Sequence, residues 1–258
     1  MDLDSAATRA GVRLVAHETT ASTNADALAL ARRGERGPLW VTARAQSAGR
    51  GRRGREWVSR PGNLFATLLL IGPCPAERAP QLSFVAALAV HDAVAETATV
   101  LGPRLALKWP NDVLCDGAKF AGILIEGEGS GAGLNVAVGI GINCAHHPDR
   151  TEYPATDLAA AGATVTTATL FRALSRTMLT RLAQWNRGDG FGAVRADWLA
   201  RAAGVGRPIR VRLGDREVDG TFEALDAAGR LVLRRADGAA ETVAAGDVFP
   251  LDAAAAGN

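Results

Sequence analysis

Lysine is scarce in this chain of 258 residues. Its two lysines, Lys108 and Lys119, lie within one short stretch, and arginine supplies the rest of the permanent positive charge. An ammonium is compact and strongly hydrated whereas a guanidinium is planar, so one does not simply replace the other. A sequence that uses arginine wherever charge alone is needed is expected to keep lysine where the ammonium itself has a task. The lysines therefore indicate a functional site, unless they survive by accident.

Cysteine and long apolar runs are scarce as well. The three cysteines are an odd and sparse set, which argues against a disulfide framework and for a reducing compartment; they are Cys74, Cys115 and Cys144. The N-terminus, Met1–Asp4, is acidic and has no apolar run, so no signal peptide is expected. The longest apolar run, Leu64–Ile71, is far too short to span a bilayer. These absences predict a cytoplasmic protein that does not enter a membrane.

Net charge is also small. At +2, the chain as a whole is not a polyelectrolyte binder, so any affinity for anions must be local. Hydrophobic residues make up 48% and charged residues 22%, both in the ordinary globular range. The length allows one large domain, or a main domain with a small appendage.

Apolar residues recur at helical and strand spacings over residues 12–202. The pattern predicts strands at Val12–Val15, Leu39–Ala45, Asn63–Ile71, Leu105–Trp109, Val113–Cys115, Lys119–Glu126 and Leu134–Ile142. It predicts helices from Thr23 to Gly34 and over Pro80–Leu101, Thr169–Trp185 and Ala193–Ala202. Thr23 and Asp26 resemble a capping box, and Asp116-Gly117 indicates a hairpin between two strands. A further turn is expected at Gly129–Gly133.

After Gly204-Val205-Gly206 the sequence pattern changes from long helices and strands to short strands. Four short strands are expected there, at Pro208–Leu213, Glu217–Ala224, Leu231–Arg234 and Glu241–Ala244. Short strands separated by glycine-containing turns favour a small barrel. We therefore predict a main domain over residues 1–203, a small domain over 204–251 and a disordered tail over 252–258.

The densest positive charge lies in residues 46–55, which we call the arginine loop. It contains Gln46, Gly49, Arg50, Gly51, Arg52, Arg53, Gly54 and Arg55. Glycine lets backbone amides approach an anion closely, and arginine offers paired donors to phosphate or carboxylate. Such a loop repels itself when empty and should be mobile until an anion arrives. The alternatives are a solvated basic turn or an RNA-binding arginine-glycine tract.

Polar residues also follow two predicted strands. Lys108 to Asp112 presents an ammonium, an amide and a carboxylate at a strand end, where proline fixes the turn. The hairpin should return Lys119 toward Asp112, and Gly122 would leave room on the sheet for a flat ligand. The segment Gly139–Asn143 repeats this device, with alternating glycines and a terminal amide. Phosphate and carboxylate are the anions that these groups suit.

These motifs, together with Ser22-Thr23-Asn24 and Lys119–Glu126, resemble the biotin protein ligase family over most of residues 12–145. The resemblance implies an α+β fold, with a mixed sheet flanked by helices as in class II aminoacyl-tRNA synthetases. The C-terminal strands more loosely resemble the small SH3-like β-barrel of that family. The first dozen residues are too few for a helix-turn-helix, so a short form without an N-terminal DNA-binding domain is expected.

The resemblance assigns roles by motif. Biotin would be bound by Ser22, Thr23, Asn24, Gln46, Arg50, Gly51, Arg52, Lys119 and Gly122. ATP would be bound by Arg52, Arg55, Lys108, Asn111, Asp112, Lys119 and Asn143, with Asn111 and Asn143 contacting adenine and Asp112 also placing Mg²⁺. Catalysis would fall to Lys119, Arg52 and Arg50, because a fixed cation offsets the repulsion between a carboxylate and a phosphate as they join. Either Trp57 or Tyr153 would stack on adenine.

The implied reaction joins biotin and MgATP to give biotinyl-5′-AMP, and then transfers biotin to a lysine of the biotin carboxyl carrier domain of acetyl-CoA carboxylase. A lipoate or octanoate ligase or transferase is the nearest alternative, although octanoyl transfer needs a cysteine carrier in a fitting context. A nucleic-acid-binding protein built on the arginine loop is another, and would bind weakly at this net charge. No specific DNA binding is expected. A monomer and a homodimer both stay open.

Other polar groups have plainer interpretations. Glu126 and Glu128 are expected to be solvated, and Cys144, His146 and His147 to lie in a surface loop rather than to hold a metal. The tryptophans at positions 109, 185 and 198 are expected to fill core or interface space.

Overall fold

The computed structural model describes residues 1–130, 133–214 and 216–251, and the predicted tail lies outside them. Its larger part is a seven-stranded sheet in the order β1-β2-β3-β7-β6-β5-β4. The strands are β1 (Arg13–Thr20), β2 (Leu39–Gln46), β3 (Leu64–Ile71), β4 (Leu105–Lys108), β5 (Asp112–Cys115), β6 (Ala118–Ser130) and β7 (Gly133–Ile142). Only the β1–β2 pair of this sheet is parallel.

Five helices accompany the sheet in the described part of the chain. They are α1 (Ser5–Arg9), α2 (Thr23–Arg32), α3 (Leu82–Thr97), α4 (Thr167–Trp185) and α5 (Phe191–Leu199). Helix α2 covers one face, where Ala27 packs on Leu39, Val41 and Leu69. Helix α3 covers the other face and is itself covered by α4, so it is apolar almost all round. The predicted α+β class is confirmed.

A second sheet has five antiparallel strands in the order β11-β10-β9-β8-β12. They are β8 (Pro208–Arg212), β9 (Glu217–Leu225), β10 (Leu231–Arg234), β11 (Ala240–Val243) and β12 (Asp247–Pro250). One buried apolar cluster continues from α3 and α5 into this sheet through Phe84, Trp198 and Phe222. The boundary at residue 204 stays a prediction.

Local structure agrees with most of the expected elements. The hairpin between β5 and β6 turns at Asp116 (φ 49°) and Gly117 (φ 79°), the pair of left-handed residues that a tight hairpin needs. The glycine at the predicted C-terminus of α2, Gly34, is left-handed too (φ 86°). The three tryptophans assigned to the core are at most 2% exposed. None of the helices in the described ranges is long and apolar enough to cross a membrane.

Three local expectations were wrong or incomplete. Ser22, not Thr23, caps α2, because the Ser22 side chain accepts from the Ala25 amide. Strand β6 continues to Ser130, which pairs with Gly133, so Gly129 and Gly133 lie in strands; residues 131 and 132 of the expected turn lie outside the described residues. Helix α1 and strand β12 were not anticipated, since both are short and neither carries a periodic apolar pattern.

The second sheet is joined to the first by a buried hydrogen bond at the end of β4. Trp109 Nε1 donates to the Gly229 carbonyl at 3.1 Å. Gly229 is left-handed (φ 84°), and a Cβ there would lie 2.8 Å from the Phe84 ring, so only glycine lets the turn approach so closely. Arg195 adds a second link by donating to the Leu225 carbonyl at 3.0 Å. These contacts set the position of β12 relative to the main sheet.

We expect Trp109→Phe to lower the free energy of unfolding by about 1–3 kcal/mol more than Trp198→Phe, the cost of one unpaired buried carbonyl. Both indoles are buried, but Trp198 Nε1 has no hydrogen-bond partner among the residues that the structure describes, so its replacement removes packing alone. Urea unfolding followed by circular dichroism measures the difference. Equal destabilisation by the two variants would show that the Trp109–Gly229 bond does not hold the second sheet.

Candidate active site

A pocket of about 450 Å³ lies where α2, β6, β7, the arginine loop and β12 meet. That volume is typical of small-molecule sites. The pocket is lined by every residue that the motifs assigned to ligand binding: Ser22, Thr23, Asn24, Gln46, Arg50, Gly51, Arg52, Arg55, Lys108, Asn111, Asp112, Lys119, Gly122 and Asn143. It is also lined by Trp57, Tyr153 and Asp247, of which the last was not foreseen.

The start of α2 forms a neutral polar end of the pocket. The Thr23 amide and hydroxyl donate to Gln46 Oε1 at 2.8 and 3.0 Å, and Gln46 Nε2 donates to Ser59 Oγ at 2.9 Å. The Thr67 hydroxyl lies 2.6 Å from Asn24 Oδ1 and 2.8 Å from Thr23 Oγ1. Thr23, Asn24 and Thr67 are buried and Gln46 is half-buried, and because these groups bond to one another they form a fixed polar surface at this end of the pocket.

Glu126 belongs to this network and is only partly solvated, with 28% of its side chain exposed, so the expectation of a solvated residue was incomplete. Asn24 Nδ2 donates to Glu126 Oε2 at 2.7 Å, and Arg50 donates to Glu126 Oε1 at 3.2 Å. Gly122, Leu124 and Glu126 alternate along β6 on one face, and the first two line the pocket. That alternation was the sequence signal that could have placed Glu126. Glu128 does lie at the surface, paired with Arg32.

The alternating glycines of β7 make room for side chains of the site. A Cβ at Gly139 would lie 2.3 Å from Asn24 Oδ1, and a Cβ at Gly141 would lie 2.5 Å from the Trp57 ring. The room that the sequence suggested for a flat ligand is therefore filled, in this structure, by an amide and an indole. Trp57 Nε1 is buried without a hydrogen-bond partner among the described residues, so this ring lacks a polar anchor.

Lys119 reaches Asp112, as the hairpin predicted. Lys119 Nζ lies 2.6 Å from Asp112 Oδ1, although it approaches outside the direction of a good hydrogen bond. Within the described part of the chain, that buried oxygen has no hydrogen-bond donor. Both side chains are largely enclosed, with 26% and 12% of their surface exposed. The ammonium also lies 5.3 Å from the centre of the Trp57 ring. A compact cation is thus fixed in the pocket wall.

A β-bulge allows Lys119 to face the pocket. Val113 pairs with Ala121 and Leu114 pairs with Lys119, so Phe120 has no partner across the hairpin. In a regular strand Lys119 and Gly122 would point to opposite faces. The extra residue puts both on the pocket side, where Lys119 Nζ would lie 3.1 Å from a Cβ at Gly122.

Lys108 is half-buried beside an aromatic pair. Its Nζ lies 3.7 Å from the centre of the Tyr153 ring, and Tyr153 stacks on Phe249 of β12 at 4.8 Å. Burial lowers the pKa of Lys108 to about 8, opposed by the charge of Asp112 and reinforced by that of Lys119. The charge of Lys108 is therefore expected to change at mildly alkaline pH.

The arginine loop is held by groups on both sheets. Arg52 donates to Asn111 Oδ1 at 3.2 Å and to the Gly246 carbonyl at 3.3 Å. Burial lowers the pKa of Arg52 below its ordinary value, while Asp247 and Asp112 favour its charge. Asp247 also pairs with Arg53 and Arg55, so the self-repulsion that was expected of the loop is partly compensated within the protein.

The two asparagines assigned to adenine are bonded to the backbone. Asn111 Nδ2 donates to the Ile123 carbonyl at 2.7 Å, and Asn143 Nδ2 donates to the Thr156 carbonyl at 3.1 Å. These bonds tie the turn after β4 to β6 and the end of β7 to a neighbouring segment. Contact between either amide and a base stays a prediction.

The segment containing Cys144, His146 and His147 is only partly at the surface. Cys144 is buried, and burial raises the pKa of its thiol to about 12. His147 Nδ1 lies 2.6 Å from Asp157 Oδ2. Across the described residues, no three His, Cys, Asp or Glu side chains cluster in a way that could hold a metal ion.

The chain matches the Biotin/lipoate A/B protein ligase family over residues 18–143 and the Biotin protein ligase C terminal domain over residues 204–249. It is 47% identical to a biotin–[acetyl-CoA-carboxylase] ligase from Paracoccus denitrificans, over 89% of this chain and 97% of that protein. The chain belongs to the biotin protein ligase family. The family expected from the motifs is thereby confirmed.

Two further members of the family show the same likeness. A biotin–[acetyl-CoA-carboxylase] ligase from Mycobacterium tuberculosis is 36% identical, over 90% of this chain and 86% of that protein. The structure of the biotin protein ligase from Aquifex aeolicus, in complex with biotin and ATP, is 25% identical with a TM-score of 0.75. The match covers 92% of this chain and 97% of that one, so the fold agrees across both sheets.

We expect Gly141→Ala to drive the Trp57 ring off the sheet, because the new Cβ would overlap it. The other four tryptophans are at most 2% exposed, so acrylamide quenching of fluorescence reports mainly on Trp57. The variant should show a larger quenching constant. Gly129→Ala on β6 is the control, since a Cβ there meets nothing within 4 Å. An unchanged quenching constant in Gly141→Ala would contradict the packing described.

Proposed function

We propose that this protein activates biotin with ATP to give biotinyl-5′-AMP, and then transfers biotin to a lysine of the biotin carboxyl carrier protein of acetyl-CoA carboxylase. The observation that carries the proposal is the convergence of Lys119 and Arg52 on one pocket that ends in buried neutral polar groups. The relatives named for this activity, and a structural neighbour that holds biotin and ATP, support it.

The neutral end of the pocket suits the ureido group of biotin, which carries both donors and an acceptor. Ser22, Thr23 and Asn24 offer hydroxyl and amide groups there, and the enclosed geometry removes competing water. Gln46 accepts from both the amide and the hydroxyl of Thr23 and so holds the start of α2 in place, which means that this end of the pocket needs no rearrangement when biotin enters. Such preorganisation lowers the entropic cost of binding.

The charged end of the pocket suits the biotin carboxylate and the α-phosphate. In the first step a carboxylate oxygen forms a bond to the α-phosphorus, and pyrophosphate leaves. Two anions repel as they approach, and the fixed ammonium of Lys119 offsets this repulsion most where charge builds up. Arg52 adds paired donors from the loop side. In the second step the carrier amine bonds to the biotinyl carbonyl carbon, and AMP leaves.

Asp112 fits a role toward the Mg²⁺ that accompanies ATP. Its carboxylate is buried, faces the pocket and has one oxygen without a well-directed hydrogen bond. Mg²⁺ commonly takes one or two carboxylates and completes its shell with substrate phosphates and water. When bound, the ion would withdraw charge from the phosphates during displacement. Lys108 would add a cation on the same side of the pocket.

The competing functions lack a supporting observation. Octanoyl transfer needs an accessible cysteine, but all three cysteines are buried. In the arginine loop, Asp247 and Asn111 hold three of the guanidinium groups, those of Arg52, Arg53 and Arg55. These groups are therefore poorly arranged to follow a nucleic-acid backbone. The three free thiols support a cytoplasmic location for the proposed reaction.

ATP–pyrophosphate exchange, measured with biotin, lipoate and octanoate in parallel, tests the proposal. Exchange that depends on biotin, followed by biotin transfer to a purified carrier domain, is the expected result. Exchange that is equal with lipoate, or absent with biotin, would overturn it.

We expect Lys119→Arg to slow biotin-dependent exchange at least tenfold, a barrier increase of about 1.4 kcal/mol. The charge is kept, but a planar guanidinium cannot occupy the position that the ammonium holds beside Asp112. Arg32→Lys, at the surface ion pair with Glu128, is the matched control and should exchange at the wild-type rate. A normal rate in Lys119→Arg would remove this lysine from the mechanism.

We expect ATP binding to take up a proton above pH 8. In the empty protein burial lowers the pKa of Lys108 to about 8, so its amine is increasingly neutral as the pH rises. A bound triphosphate favours the charged form and raises this pKa, so affinity should fall as the pH rises from about 8 toward 10. Below pH 7 the lysine is charged in both states and no uptake is expected.

Calorimetric titration at pH 8.5 in two buffers with different ionisation enthalpies measures this proton. The apparent heats should differ for the wild type and agree for Lys108→Arg, whose side chain stays charged. Equal heats for the wild type, or a proton released on binding, would contradict the assignment of Lys108.

A further inference from the structure

The carboxylate of Asp247 is the point at which the second sheet meets the arginine loop. Its Oδ1 accepts from Arg55 at 2.8 Å and its Oδ2 accepts from Arg53 at 3.2 Å. The Arg52 guanidinium lies 3.9 Å from Oδ1 and donates to the neighbouring Gly246 carbonyl at 3.3 Å. Only 10% of the Asp247 side-chain surface is exposed, so these pairs are weakly screened.

The position of Asp247 is fixed by its own backbone. It is the first residue of β12 and pairs with Arg212 of β8. The preceding residue packs closely, since a Cβ at Gly246 would lie 2.7 Å from Val211 and 3.1 Å from the Arg212 carbonyl. The second sheet is in turn tied to the main sheet by Trp109. The carboxylate therefore stands on a rigid support beside the pocket.

The three arginines are not held equally. Arg53 and Arg55 make direct hydrogen bonds to the carboxylate, whereas Arg52 is farther away and also donates to Asn111 inside the pocket. Arg52 is the most enclosed of the three, with 21% of its side chain exposed against 38% and 45% for the others. Two arginines thus anchor the loop, and the third is left facing the ligand space.

We propose that Asp247 of the second sheet is a positioning residue for adenylate formation, which anchors the arginine loop through Arg53 and Arg55 and so aims Arg52 into the pocket. This inference rests on the proposed function. One carboxylate among three guanidinium groups leaves a positive excess, so the site still attracts anions while the loop is held. Removing that carboxylate should therefore strengthen the attraction of ATP but lose the alignment of Arg52.

Asp247→Asn separates these two effects, because the amide keeps the shape of the carboxylate and removes its charge. In the exchange assay we expect the maximal rate to fall about tenfold or more, while the KM for ATP stays the same or falls. The KM should also rise more steeply with salt than in the wild type, since the uncompensated positive charge is greater. Asp247→Glu restores the charge and should return the salt dependence to that of the wild type, with part of the rate.

Asp219→Asn is the matched control. Asp219 lies in the same sheet and pairs with Arg210 through two bonds of 2.7 Å, but it does not line the pocket. It should exchange at the wild-type rate. A merely structural role of Asp247 would lower the rate by reducing the folded fraction, leaving the KM and its salt dependence unchanged.

Trypsin gives a readout that does not depend on activity. Without ligands, Asp247→Asn should be cut after Arg53 or Arg55 several times faster than the wild type or Asp219→Asn, since the loop has lost its anchor. Equal cutting, or a maximal rate and KM within twofold of an active wild type, would overturn the inference. If trypsin cuts the wild type slowly but the wild type catalyses no biotin-dependent exchange, the proposed function is refuted, while the anchoring of the loop by Asp247 is retained.

Discussion

One unpaired residue in a hairpin determines which face of the sheet carries the reactive cation. The bulge at Phe120 shifts the register of β6 by one residue, and a one-residue slip reverses the face of every side chain beyond it. Lys119 therefore shares the pocket face with Gly122 and Asp112, while Phe120 is fully buried. The Phe120 carbonyl accepts from the Asn143 amide at 2.7 Å, and the Lys119 amide donates to Pro154 at 2.8 Å. These two backbone hydrogen bonds hold the bulge in place, and the other charged groups of the site surround the Lys119 ammonium.

Charge in the pocket is balanced in two separate groups. Lys119 and Asp112 form one group on the main sheet, while Asp247 gathers Arg52, Arg53 and Arg55 from the loop. Each group contains one carboxylate, and the second has more cations than it neutralises. Buried charge is costly unless it is paired, so each carboxylate lowers the free-energy cost of placing these cations close together. The excess positive charge of the group around Asp247 would attract the carboxylate and the phosphate of the substrates.

Sequence reasoning found the residues that lie in dense local patterns. The arginine loop, the Lys108–Asp112 segment and the glycines of β7 were all recognised, because spacing and residue type carried their chemistry. The Asp116-Gly117 turn was read correctly for the same reason. Each of these signals lies within about ten residues of chain.

Sequence reasoning missed what depends on distant packing. Asp247 lies in a strand of four residues without a clear apolar period, and it meets the loop because long-range contacts, such as that of Trp109 with Gly229, bring the second sheet there. Glu126 is expected to be solvated on sequence grounds, because its partner Asn24 lies 102 residues away in the chain and no local pattern indicates that contact. The bulge was missed because strict alternation is the only rule a short strand offers.

The placement of both lysines in the pocket wall has a chemical consequence for the rest of the molecule. A mixed anhydride of biotin and AMP would acylate accessible primary amines, and lysine side chains are the commonest such nucleophiles on protein surfaces. Here the outer surface presents arginines, which are far poorer nucleophiles because they stay protonated. Apart from Lys108 and Lys119 in the pocket wall, these residues would offer the activated intermediate no lysine to acylate, so the carrier lysine would meet little competition from side chains on the outer surface.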